Sequence, residues 1–79
     1  MVNEARLSTR NEVSAEQLRQ MPEGTKVIVH SFDKHGELQR LECTIAVNGR
    51  RKVLRYDDYQ GRNEKPITKE SDRKWYSLS

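Results

Sequence analysis

Alternation dominates the hydrophobic pattern of this chain. Leu41, Cys43, Ile45 and Val47 fall on every second residue, and Val53, Leu54 and Tyr56 follow after a polar interruption at Asn48-Gly49. A period of two marks a half-buried strand. Residues 41–56 therefore read as one β-hairpin, with Asn48-Gly49 as a two-residue type I′ turn in which both residues take positive φ. That loop sets Val47 opposite Arg50, Ile45 opposite Lys52, Cys43 opposite Leu54 and Leu41 opposite Tyr56. The other face pairs Ala46 with Arg51, Thr44 with Val53 and Glu42 with Arg55.

A first strand is expected over 25–32, carrying Val27, Ile28, Val29 and Phe32. Asp33-Lys34-His35-Gly36 is turn chemistry, and the next strand starts near Leu38 and runs into the hairpin. A five-residue loop over 33–37 pairs Phe32 with Leu38, Val29 with Leu41 and Val27 with Cys43. A four-residue loop sets Val29 against Arg40 instead. The first register is preferred because it matches apolar with apolar. It leaves Ile28, Phe32, Leu38 and Val53 on the other face, so the sheet is covered on both faces or curls into a small barrel.

Helical spacing is confined to one short segment. Ser14 with Gln17 forms a capping box, and Val13 and Leu18 occupy the positions of a hydrophobic staple. The helix spans roughly 15–21, because Pro22 cannot continue it. Residues 1–12 are polar and aperiodic and read as a flexible tail. Residues 57–73 offer only Tyr59 and Ile67 as anchors and read as a long loop. Residues 74–78 look like a closing strand, in which Trp75 is the largest side chain available for burial. The expected fold is mainly β within the α+β class. It is a small antiparallel sheet of about four strands, or an SH3-like barrel, with one short N-terminal helix. One domain is expected over 13–79.

Composition limits the core. Of 79 residues, 33% are hydrophobic and 34% charged, so a single small domain is the most the chain supports. Cys43 is the sole cysteine, which precludes an intramolecular disulfide. It reads as a small buried hydrophobe and suits a reducing compartment. No signal peptide or membrane span is evident in the sequence, and a cytoplasmic location is expected. The net charge of +3 is unevenly spread. Residues 1–24 hold three arginines against four glutamates, while the rest holds twelve basic and eight acidic residues. The positive excess lies on the expected sheet and permits an anionic partner.

Catalytic chemistry finds little support. His30 falls mid-strand and His35 in a turn, and no serine or cysteine sits in a nucleophile setting. Asp57-Asp58 reads as a solvated strand end. His30, His35, Asp33 and Cys43 lack the spacing of metal ligands. No enzyme activity, cofactor or small-molecule substrate is expected. The best chemical candidate is the hairpin tip, where Arg50, Arg51 and Lys52 project together, with Arg55 and Lys74 as further candidate phosphate contacts. Tyr56, Tyr59, Trp75 and Tyr76 are candidates for base stacking, although Tyr56 and Trp75 are wanted inside. Gly24-Thr25-Lys26-Val27-Ile28-Val29 followed by Asp33-Lys34-His35-Gly36 resembles the opening of the KOW-type modules of some transcription and ribosome proteins. The rest of the chain departs from that pattern, so no functional residue carries over. Two functions are expected to compete. One is a nucleic-acid-binding module using the basic tip. The other is a protein-interaction module, such as a small phage-encoded inhibitor or accessory factor.

Overall fold

The computed structural model describes residues 12–79. Six strands, β1 (Glu12–Val13), β2 (Lys26–Phe32), β3 (Leu38–Asn48), β4 (Arg51–Asp58), β5 (Gly61–Pro66) and β6 (Lys74–Leu78), form one antiparallel sheet. Their order across it is β1-β6-β2-β3-β4-β5. The single helix, α1 (Ala15–Arg19), follows β1. The β-rich class is as expected, but the sheet has six strands and is open. No pairing joins β1 to β5, so the sheet does not close on itself. The expected tail at 1–12 falls outside the described residues except for Glu12, which pairs with Ser77. No helix among the described residues is long and apolar enough to cross a membrane.

The capping box forms as the sequence predicts. The Ser14 hydroxyl accepts from the Gln17 N–H at 3.1 Å, and the Gln17 side chain accepts from the Ser14 N–H at 2.8 Å. The helix stops at Arg19, earlier than expected, with Gln20 as its C-cap. Five residues cannot sustain a helix alone, so packing and tethering hold it. Leu18 is fully buried. Glu70 accepts from the Ala15 N–H at 3.1 Å, and the Arg19 guanidinium donates to the Ile67 carbonyl at 2.7 Å.

Those tethers come from the connection between β5 and β6. The two strands lie on opposite sides of the sheet, so residues 67–73 must cross one face. They cross the face that carries α1. There Ala15, Leu18, Val27, Val29, Cys43, Ile45, Leu54, Ile67 and Tyr76 form the main core, with Val13 and Met21 packed against it. The Tyr76 hydroxyl donates to the Thr68 carbonyl at 2.7 Å and accepts from the Thr68 N–H at 3.1 Å. The other face carries Trp75, fully buried, stacked on its cross-strand partner His30 with ring centroids 5.3 Å apart and planes 5° from parallel.

The β2–β3 register is the preferred one, with Val27 opposite Cys43, Val29 opposite Leu41 and Phe32 opposite Leu38. The β3–β4 register is not. Asn48 pairs with Arg51, Ile45 with Leu54 and Ala46 with Val53. The loop is therefore Gly49-Arg50. Gly49 has φ of +66°, and no described non-glycine residue has positive φ. Glycine first and a negative-φ residue second is the type II′ arrangement, not type I′. The physical reason lies in the core. The observed register opposes apolar to apolar on both faces, whereas the expected one set Ile45 against Lys52 and Ala46 against Arg51. Pairing slips by two residues, an even number, so every side chain keeps its expected face.

The second correction concerns 57–73. β4 continues to Asp58, and β5 returns after the Tyr59-Gln60 turn, where the Asp58 carboxylate accepts from the Gln60 N–H at 2.7 Å. Only 67–73 is irregular apart from an isolated bridge between Ser71 and Lys74. β5 carries no apolar alternation. It is held by its ladder to β4, by Glu64 against Arg55 and by the Lys65 ammonium 5.7 Å from the Tyr56 ring centre.

Candidate functional site

Local charge concentrates where the β3–β4 tip meets the end of β5 and the last turn of α1. A depression of about 1050 Å³ opens there, walled among the described residues by Arg19, Arg50, Arg51, Lys52 and Lys65, with Glu64 as the one carboxylate. Asn48, Val53 and Pro66 complete the lining. Gly49 turns the chain sharply, which leaves Arg50 and Arg51 exposed at the rim. Neither guanidinium has an ion-pair or hydrogen-bond partner among the described residues.

The other cations are held in place. Lys52 points to the helix face, where its ammonium donates to the Met21 carbonyl just past α1. A cation there suits the negative end of the helix. Arg19 is fixed on the Ile67 carbonyl, and Lys65 lies over Tyr56. A carbonyl or a ring orients a cation without cancelling its charge. Glu64 is already engaged. Arg55 reaches its Oε2 through Nε at 3.0 Å and Nη2 at 2.6 Å, and the Asn48 amide donates to its Oε1 at 3.1 Å. Among the described residues the hollow is thus lined by five positive groups and one carboxylate, whose oxygens are both engaged.

The sequence-derived candidates separate accordingly. Arg50, Arg51 and Lys52 line the same hollow, although Arg51 and Lys52, successive residues of β4, fall on opposite faces of the ribbon. Arg55 stands beside them, matched by Glu64. Lys74 is at the other end of the sheet, opposite Ser31, with its ammonium on the Thr68 hydroxyl and 5.5 Å from the Tyr76 ring centre. Arg19 and Lys65 join the tip, and neither is among the candidate phosphate contacts that the sequence suggests. No local signal marks Arg19, whose position depends on the 67–73 crossing. Lys65 becomes readable only once β5 is paired with β4.

The remaining chemical groups serve structure. His30 Nε2 lies 2.7 Å from the Ser77 hydroxyl, and both residues are buried. Burial, and then the charge of Arg40, lowers the His30 pKa, against an opposing pull from Glu12. The Asp33 carboxyl is held below its ordinary range by the Glu37 backbone N–H first, with help from the His35 N–H and the Gln39 amide. It closes the β2–β3 turn. Burial pushes the Cys43 thiol up, with Lys65 opposing. Among the described residues no three histidine, cysteine or acidic side chains group to hold a metal. Comparison with known protein families, curated proteins and solved structures finds no match to this chain.

Proposed function

We propose that this chain is a non-enzymatic binding module that holds nucleic acid by its phosphates in the basic hollow at the β3–β4 tip. The observation that carries the reading is that Arg19, Arg50, Arg51, Lys52 and Lys65, from three separate elements, line one hollow in which Glu64, already engaged, is the one carboxylate among the described residues. Like charges that line one hollow repel one another, and an anion relieves the repulsion. Phosphates suit the geometry because two guanidinium forks stand at the rim without a partner among the described residues.

The test is a fluorescence-anisotropy titration with labelled oligonucleotide across a range of salt. Engaging about four phosphates gives a log–log slope of about −3 to −4. Arg50→Glu combined with Arg51→Glu abolishes binding and leaves the melting temperature nearly unchanged, because both side chains are exposed and have no partner among the described residues. Absence of binding by the wild type in low-salt buffer refutes the proposal. A protein-interaction module is the second reading, and one observation favours it. Tyr59 is 94% exposed on the β4–β5 turn beside Asp57 and Asp58, and an exposed aromatic residue is a common anchor in protein contacts. A pull-down that survives nuclease treatment and is lost in Tyr59→Ala supports that second reading over the first.

A further inference from the structure

Resting on the phosphate-binding reading, we infer that the ligand is the backbone of a nucleic-acid duplex rather than a single strand, held without base stacking. The argument comes from where the rings are. The chain has five aromatic residues, Phe32, Tyr56, Tyr59, Trp75 and Tyr76, and none of them lines the hollow. Trp75 and Tyr76 are fully buried. Phe32 packs on Trp75 with ring centres 5.5 Å apart, at the end of β2 away from the tip. Tyr56 is half-buried beneath the Lys65 ammonium. Tyr59 is open to solvent, but the eight residues of β4 separate it from the tip by about 25 Å at the rise of a strand. Asp57 and Asp58 beside it repel phosphates.

Proteins that hold single strands combine a basic track with rings on which successive bases stack. Here the cations are present and the rings are elsewhere. The hollow offers aliphatic floor from Val53 and Pro66, which has no π-face for a base. A compact cluster of cations gains most from the densest array of phosphates, and a duplex carries one charge per about 1.7 Å of axis. The exposed Gly49-Arg50 turn is also the narrow end of a two-stranded ribbon, an element that a major groove admits.

The experiment uses the full chain in anisotropy titrations against duplex DNA, duplex RNA and an unstructured single strand of equal length. With about four contacts the salt slopes are about −3.6 for a duplex and about −2.8 for a single strand, and lines that meet near roughly 1 M salt diverge to about twentyfold by roughly 20 mM. The expected result is at least about tenfold tighter duplex binding in low salt, with Tyr59→Ala leaving both affinities unchanged. Preference for one duplex over the other then assigns DNA or RNA. Single-strand binding as tight as duplex binding, or a loss of single-strand affinity in Tyr59→Ala, overturns the inference and leaves the phosphate reading standing. No binding to any of the three probes overturns the phosphate reading itself.

Discussion

The turn at Gly49-Arg50 sets the register of β3 against β4 and the shape of the basic tip, so it is the place to probe the fold. Gly49 holds φ of +66°, and a Cβ built on it meets no atom within 4 Å. The cost of Gly49→Ala is therefore backbone strain alone, about 1–3 kcal/mol. Asn48 is a strand residue with negative φ, paired to Arg51. Asn48→Thr loses the amide hydrogen bond to Glu64, worth about 0.5–1.5 kcal/mol. It recovers part of that through the strand preference of a β-branched side chain. The net cost should stay below about 1 kcal/mol. Urea unfolding followed by the fluorescence of Trp75, the sole tryptophan, measures both, and thermal melts should move by roughly 4–8 °C for each kcal/mol. A type I′ turn at Asn48-Gly49 reverses the order, because the β-branched side chain introduced by Asn48→Thr would then be forced to positive φ. A greater loss in Asn48→Thr than in Gly49→Ala refutes the observed register. Backbone NMR adds an independent check, with cross-strand contacts expected between Ala46 and Val53.

Two further outcomes follow from the face opposite the helix. Trp75→Ala removes a fully buried ring that His30 and Phe32 both contact, at a cost of about 3–5 kcal/mol. For a domain of this length the whole stability is of the order of 4–12 kcal/mol, so circular dichroism should show a large fall in melting temperature or an unfolded chain, and a wild-type melt contradicts core placement. His30 has its folded-state pKa lowered below the ordinary 6.5, so the unfolded chain binds the proton more readily. Stability should be level above about pH 6.5 and decline as pH falls through that value toward the folded pKa. The decline should be absent in His30→Gln, and equal slopes in the two proteins contradict the assignment.

Much of this fold was legible in local chemistry. The capping box at Ser14 and Gln17 and the β2–β3 register each depend on residues close in sequence, where propensity and pattern act directly. Face assignment in the β3–β4 hairpin survived an error in register because a two-residue slip preserves side-chain alternation. Asn48-Gly49 carries the sequence signature of one turn while the chain adopts another. The local preference of Asn48 for positive φ is small beside the burial gained when Ile45 meets Leu54 and Ala46 meets Val53.

The candidate site divides along the same line. Sequence alone determined that Arg50, Arg51 and Lys52 share a projecting turn, since three adjacent residues beside a glycine cannot be far apart. Only the tertiary structure decided that Arg19 and Lys65 join them, that Glu64 occupies Arg55 and that Lys74 lies at the other end of the sheet. β5 has no apolar alternation to announce it, because an edge strand held by hydrogen bonds and charge pairs buries little. The crossing at 67–73 then carries the chain over the helix face, a connection between residues about fifty apart in sequence. Arg19 reaches the tip through that connection and Lys65 through the β4–β5 ladder, and no periodicity or spacing in the sequence encodes either.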